Sequence, residues 1–127
     1  MQDEPTPTEL IKAVADFLRS EIAPAITGHN GFKLRVGINA LDLVARQLTL
    51  ERDSDSAETA RLKQLLGADG PLMALNRVLS EKIAKGEADL RTPGLSEHLW
   101  QTTMDKLAVD QPNYASYKRE LENRTNS

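Results

Sequence analysis

Apolar positions along this chain recur at helical spacing, and proline and glycine punctuate the intervals between the runs. "TPTE" (Thr6–Glu9) reads as a helix start: Thr6 as N-cap, Pro7 at the first helical position, and Glu9 closing a capping box. Leu10, Val14, Phe17 and Leu18 follow as one stripe, widened by Ile11 and Ile22. Pro24 must end or kink this helix, because it removes a hydrogen bond and its ring clashes with the preceding turn. "TGHNG" (Thr27–Gly31) then reads as the connecting loop.

A second helix is predicted from Phe32 to Leu50, about 28 Å long. The polar run "ERDSDSAE" follows, where Asp55 and Glu58 are spaced as another capping box opening a short third helix that ends at Gly67. "GADGP" is a tight turn, after which Pro71 opens a fourth helix. Its stripe is Leu72, Leu75, Leu79 and Ile83, and Gly86 is its natural C-cap. "GEADLRTPG" reads as a loop. A fifth helix carries Leu95, Leu99, Trp100, Met104, Leu107 and Ala108 and stops before Pro112. Tyr114, Tyr117 and Leu121 fall at i, i+3 and i+7 and predict a short C-terminal helix docking back onto the rest. No segment alternates as a strand does. The pattern predicts an all-α fold: one domain over residues 1–127, a bundle of about five helices plus a short C-terminal helix, with residues 1–5 and 122–127 as frayed ends.

The second helix carries two apolar faces, more than a surface helix normally shows. With Leu34 as origin and about 100° per residue, Ile38, Leu41, Ala45 and Leu48 fall within about 40° of it, and Gly37 and Val44 extend that face. Phe32, Val36, Leu43 and Leu50 land nearly opposite, as candidates for core or interface. A narrow polar strip between the faces holds Arg35, Asn39, Asp42 and Arg46. As a solvent-facing ladder it would pair Asp42 with Arg46 and bridge Asn39 toward Arg35, each pair contributing a few tenths of a kcal/mol. As the wall of a cleft it would offer Arg35 and Arg46 to an anionic partner. In a third arrangement Arg35 is buried against a distant carboxylate. Gly37 would let a neighbouring backbone approach, and Asn76 interrupts the fourth helix's apolar stripe and calls for an internal partner.

Composition narrows the chemistry. At 127 residues, 28% charged and 39% hydrophobic, the chain is that of a soluble globular protein able to bury roughly two-thirds of its unfolded surface. Aromatic residues make up only 4%, so the core rests on Leu, Ile, Val and Ala. A net charge of -3 with dispersed Lys and Arg argues against nucleic acid and against an anionic lipid surface. The absence of cysteine removes disulfides, thiolate nucleophiles and cysteine-type metal sites. "MQDEPTPTEL" is acidic where a signal peptide is basic, and no apolar run approaches the ~20 residues of a membrane span, so a cytoplasmic location is expected.

Specific motifs are missing. No P-loop or dinucleotide-binding glycine pattern occurs. Asp53 and Asp55 imitate the opening of a calcium loop, but Glu58 stands where its glycine belongs and Gln64 where its bidentate glutamate belongs. Of the two histidines, His29 reads as exposed beside Gly28, and His98 lies next to Leu99 and Trp100 with Glu97 before it. Each reads as structural or superficial, since a histidine base needs an oriented partner. Trp100 reads as a core anchor. No catalytic residue, cofactor site or metal ligand set is expected.

Three segments together resemble a known family: "MQDEPTPTELIKAVADFL", "LRVGINALDLVARQL" and "LAVDQPNYASYKR". They are similar to a family of small bacterial helical proteins catalogued as a domain of unknown function. Its members are often encoded beside a kinase-like phosphotransferase and an acyl-CoA dehydrogenase. In that family a histidine often precedes the "LRV" segment and an alanine pair replaces "GI"; here Lys33, Gly37 and Ile38 stand instead. The resemblance implies a setting in fatty-acid catabolism and partners among those enzymes. The expectation is a non-enzymatic accessory protein that self-associates, a dimer being favoured, and binds such a partner. The alternative is a binder or weak enzyme for acyl-CoA-like anions, using Arg35, Asn39, Asp42 and Arg46.

Overall fold

The computed structural model describes residues 4–126, so Met1 to Asp3 of the expected frayed N-terminus and Ser127 at the other end lie outside the described residues. Among the described residues the fold is all-α, as predicted, with no strand. Five α-helices follow one another: α1 (Pro7–Phe17), α2 (Gly28–Leu66), α3 (Leu72–Ala84), α4 (Leu95–Asp110) and α5 (Ala115–Thr125). The chain divides into two compact units, the first ending at Glu51 and the second beginning at Arg52, and α2 supplies residues to both.

In the first unit, α1 starts where the capping signal places it. The Thr6 hydroxyl accepts from the Glu9 amide at 3.2 Å, and Pro7 sits in the first turn, where its missing N–H costs nothing. Pro24 then acts at a distance. Lacking a donor and crowding the turn before it, it is preceded by a π-turn (Leu18–Ile22) and sits in a 3₁₀ turn (Ala23–Ala25), after which Ile26 turns extended.

The inward face of α1 is a quarter-turn away from the predicted stripe. Ala15 is fully buried and Ile11 and Leu18 are half-buried, whereas Leu10, Val14 and Phe17 stand about half exposed. Ala15, Ala23 and Ile38 form the small core, with Leu18, Leu34 and Leu41 packed against it. Small side chains at Ala15 and Ala23 set that choice, because they let α2 approach closely.

α2 corrects two expected boundaries. It begins at Gly28, so most of the expected "TGHNG" loop is helical, and it runs unbroken for 39 residues through "ERDSDSAE" to Leu66. The predicted second and third helices are therefore one. The polar run contains neither proline nor glycine, and its Ser and Asp residues lower helix propensity by only about 0.5 kcal/mol each. Thr59 returns its hydroxyl to the Asp55 carbonyl at 2.7 Å, inside the helix, so Asp55 caps nothing. Asp53 and Asp55 thus stand on a helix, not on an ion-binding loop.

In the second unit Leu62, Leu75, Leu79, Ala88 and Leu95 form the core, with Leu66 and Leu72 against it. The turn before α3 is tied by Asp69, which accepts from the Gly70 amide and pairs with Lys63, both at 2.8 Å. Hydrogen bonding from Lys63, then from the Gly70 amide, holds its carboxyl below the usual range. Asn76 finds the partner its position called for, donating to Glu58 at 3.4 Å. Trp100 is no core anchor: it is half exposed, its indole N–H directed to Glu120 at 3.2 Å. α5 buries no residue and is helical to Thr125, past Glu122 where the frayed tail was expected to start. It is held through polar contacts such as Arg124 to Gln101 at 3.1 Å.

Two glycines of α2 make opposite demands. A Cβ on Gly31 would stand 2.5 Å from the Ile26 carbonyl oxygen, a backbone atom that cannot yield cheaply. A Cβ on Gly37 would meet nothing within 4 Å, so no backbone approaches there. Urea denaturation should show Gly31→Ala losing stability and Gly37→Ala gaining about 0.5–1 kcal/mol from reduced unfolded-state entropy.

Candidate functional site

The polar strip of α2 is divided by the fold. Arg35 and Asn39 are exposed and line an open cleft of about 410 Å³ in the first unit, together with Arg19, Ala23, Pro24 and Ile38. Arg35 is therefore not the buried partner of a distant carboxylate. Asp42 is half-buried and paired with Arg19, which also reaches Asp16 at 3.2 Å. Arg46 is half-buried. Arg19 was not among the expected strip residues, because only the π-turn ahead of Pro24 brings it beside α2. Its charge is already matched by two carboxylates, whereas Arg35 forms no ion pair with a described residue.

The opposite face of α2 is open. Phe32 and Val36 are 62% and 52% exposed, Leu50 is exposed and Leu43 half-buried. Phe32, Val36 and Leu50 are thus surface side chains, and Leu43 joins neither core cluster.

The second unit holds a more organised polar site, which the sequence pattern did not reveal. His98 is 2% exposed, the one buried polar side chain among the described residues. It occupies the inward face of α4 with Leu95 and Met104, while Leu99 and Trp100, expected on that face, point outward. Arg61 of α2 donates from Nε to His98 Nδ1 at 3.1 Å and from Nη2 to the Thr102 hydroxyl at 3.3 Å. An arginine Nε always carries a proton, so His98 Nδ1 must be the accepting nitrogen and the ring proton lies on Nε2. Hydrogen bonds from a charged donor such as these contribute about 1.5–3 kcal/mol.

Thr92, Pro93 and Gly94 form one rim of the cleft that His98 lines. Asp89 shapes this rim: its carboxylate accepts from the Arg91 amide at 2.8 Å, while its own amide donates to the Thr92 hydroxyl at 3.0 Å. Gly94, at φ 84°, then admits the chain into α4. With Arg61, Gln64, Leu65, Glu97 and Gln101, these residues enclose about 780 Å³, within the range of small-molecule sites. No group of His, Asp or Glu among the described residues could hold a metal ion.

The arrangement fixes what His98 can do. Burial pushes its imidazole below the ordinary value, the Arg61 charge adds to this, and Glu58 partly offsets it. With Nδ1 accepting from Arg61, the ring is presented as a donor from Nε2.

Residues 24–114 match the family described as a domain of unknown function (DUF6285), and the chain belongs to that family. No curated protein and no solved structure matches it. No helix among the described residues is long and apolar enough to cross a membrane.

The lowered His98 value makes stability depend on pH with a definite sign. On acidification the unfolded chain takes up the histidine proton first, near 6.5, while the folded chain still resists it. The stabilisation is complete above that value and drains as pH falls through it toward the folded value. Thermal melts from neutral pH down to pH ~5 should therefore show acid destabilisation that His98→Gln reduces. Arg61→Gln should raise the imidazole titration seen by NMR while leaving it below the ordinary value, because burial remains.

Proposed function

We propose that this member of the DUF6285 family is a non-enzymatic helical accessory protein that works by association, first with a second copy of itself. The observation that carries this reading is the exposed apolar stripe of α2, with Phe32, Val36 and Leu50 open and Leu43 half-buried on one face. It extends about 27 Å along the helix. Covering side chains of this size is worth about 1.5–3 kcal/mol each, and a second such stripe is a matched cover.

Flanking charge favours one arrangement. Lys33 and Glu51 are both exposed and fall at the same angle on the α2 wheel, beside the stripe and near its two ends. Antiparallel pairing about a two-fold axis sets Lys33 of each copy beside Glu51 of the other, so the attraction occurs twice. Parallel pairing would leave Lys33 of one copy and Glu51 of the other about 27 Å apart along the axis, with no such attraction. The non-enzymatic part of the reading is supported by His98, whose accepting nitrogen is occupied by Arg61. The setting implied by the sequence resemblance names an acyl-CoA dehydrogenase or a kinase-like phosphotransferase as the further partner. The exposed Leu10, Val14 and Phe17 stripe of α1 gives such a partner a second apolar surface.

Light scattering should find the wild type dimeric and Phe32→Asp/Val36→Asp monomeric, with helical circular dichroism retained. Lys33→Glu should weaken the dimer, and Lys33→Glu/Glu51→Lys should restore it. A monomeric wild type, or dimers indifferent to all these changes, would contradict the proposal.

A further inference from the structure

In the cleft of the second unit one arginine is held by neutral partners alone. Arg61 is half-buried and its hydrogen bonds go only to neutral acceptors, His98 and Thr102; it forms no ion pair with a described residue. This contrasts with Arg19, Lys63 and Arg124, each of which pairs with a carboxylate. With no carboxylate of the described residues in direct contact, the guanidinium keeps donor capacity for an oxygen anion.

His98 adds a second donor. Its Nδ1 is taken, and Nε2–H has no partner among the described residues. No buried side-chain nitrogen or oxygen among the described residues lacks a partner, so Nε2 retains access to the space His98 lines. Arg61 is anchored through Nε and Nη2, which leaves Nη1 for a ligand and means little side-chain freedom is lost on binding.

Charge on the other side limits the ligand. Glu97 lines the same cleft, and the Glu58 carboxylate is close enough to act on His98. A dianion would meet one cation and two carboxylates, so a single negative charge fits better. Leu65 and Pro93 give the cleft apolar wall. Gln101 is committed at both ends of its amide, to Asp105 at 2.9 Å and Arg124 at 3.1 Å, so it serves as wall and not as ligand.

We propose that this cleft binds a small organic monocarboxylate, its carboxylate on Arg61 Nη1 and the His98 Nε2–H, its apolar tail along Leu65 and Pro93. The site is independent of the α2 stripe.

The test uses the full chain with hexanoate, acetate and inorganic phosphate as probes, at matched ionic strength, by calorimetry and by NMR of the His98 ring. Hexanoate should bind saturably and shift the His98 ring signals, with acetate weaker and phosphate weaker still. Arg61→Gln should weaken hexanoate about tenfold or more, as loss of a charge-assisted hydrogen bond does. Glu97→Gln changes an exposed residue outside the core and should tighten binding a few-fold by removing a repulsive charge. The second variant keeps the test decisive if Arg61→Gln fails to fold. The proposal is overturned if hexanoate does not bind, if it binds without moving His98, if phosphate binds more tightly than hexanoate, or if Glu97→Gln leaves affinity unchanged or lower.

Discussion

The structure depends on one constraint: from Phe32 to Leu66 the chain contains no proline, and its single glycine there, Gly37, faces open space without breaking the helix. Nothing in that interval can turn the chain, so one helix must serve two cores. It gives Ile38 to the first and Leu62 to the second. The polar run Glu51–Glu58 is what such a helix carries where it has no apolar face to bury. Its Asp and Ser residues weaken the helix locally but offer no backbone alternative strong enough to end it.

A helix committed in this way leaves surface uncovered. In the first unit the core is built around alanines, and Leu34, Ile38 and Leu41 are the α2 side chains that reach it. The opposite stripe of α2 and the Leu10, Val14, Phe17 stripe of α1 stay open. Single exposed apolar residues are ordinary on protein surfaces, whereas stripes at helical spacing on two helices of one small unit are not. The proposed association through α2 rests on that excess, and the mirrored positions of Lys33 and Glu51 give the proposal its direction.

Local signals in the sequence were legible where a single residue decides the backbone. Thr6, Pro7 and Pro24 place the start and end of α1, and Gly86 follows α3 as expected. Phase was harder to read. α1 has two overlapping apolar stripes about 100° apart, and the choice between them rests on Ala15, whose small side chain matters only once a neighbour packs against it. On α4 the apolar pattern pointed to Leu99 and Trp100, but His98 takes the inward place because Arg61, 37 residues earlier, satisfies its Nδ1. No spacing rule links those two residues, so the site in the second unit was invisible before the fold. Arg35 and Asn39 line one cleft, while the pairing of Asp42 with Arg19 depended on a π-turn that the sequence signalled only as a break at Pro24.

In the proposed dimer two α2 helices pair antiparallel through the Phe32–Leu50 stripe. The chain has no cysteine, so introduced thiols report on it without interference. Lys33→Cys and Glu51→Cys proteins, oxidised separately and as a mixture, measure the pairing directly. Antiparallel pairing predicts that the mixture forms a crosslink between Lys33→Cys and Glu51→Cys chains while neither variant crosslinks efficiently to itself. Self-crosslinking of Lys33→Cys, or no crosslink in any sample, would contradict it.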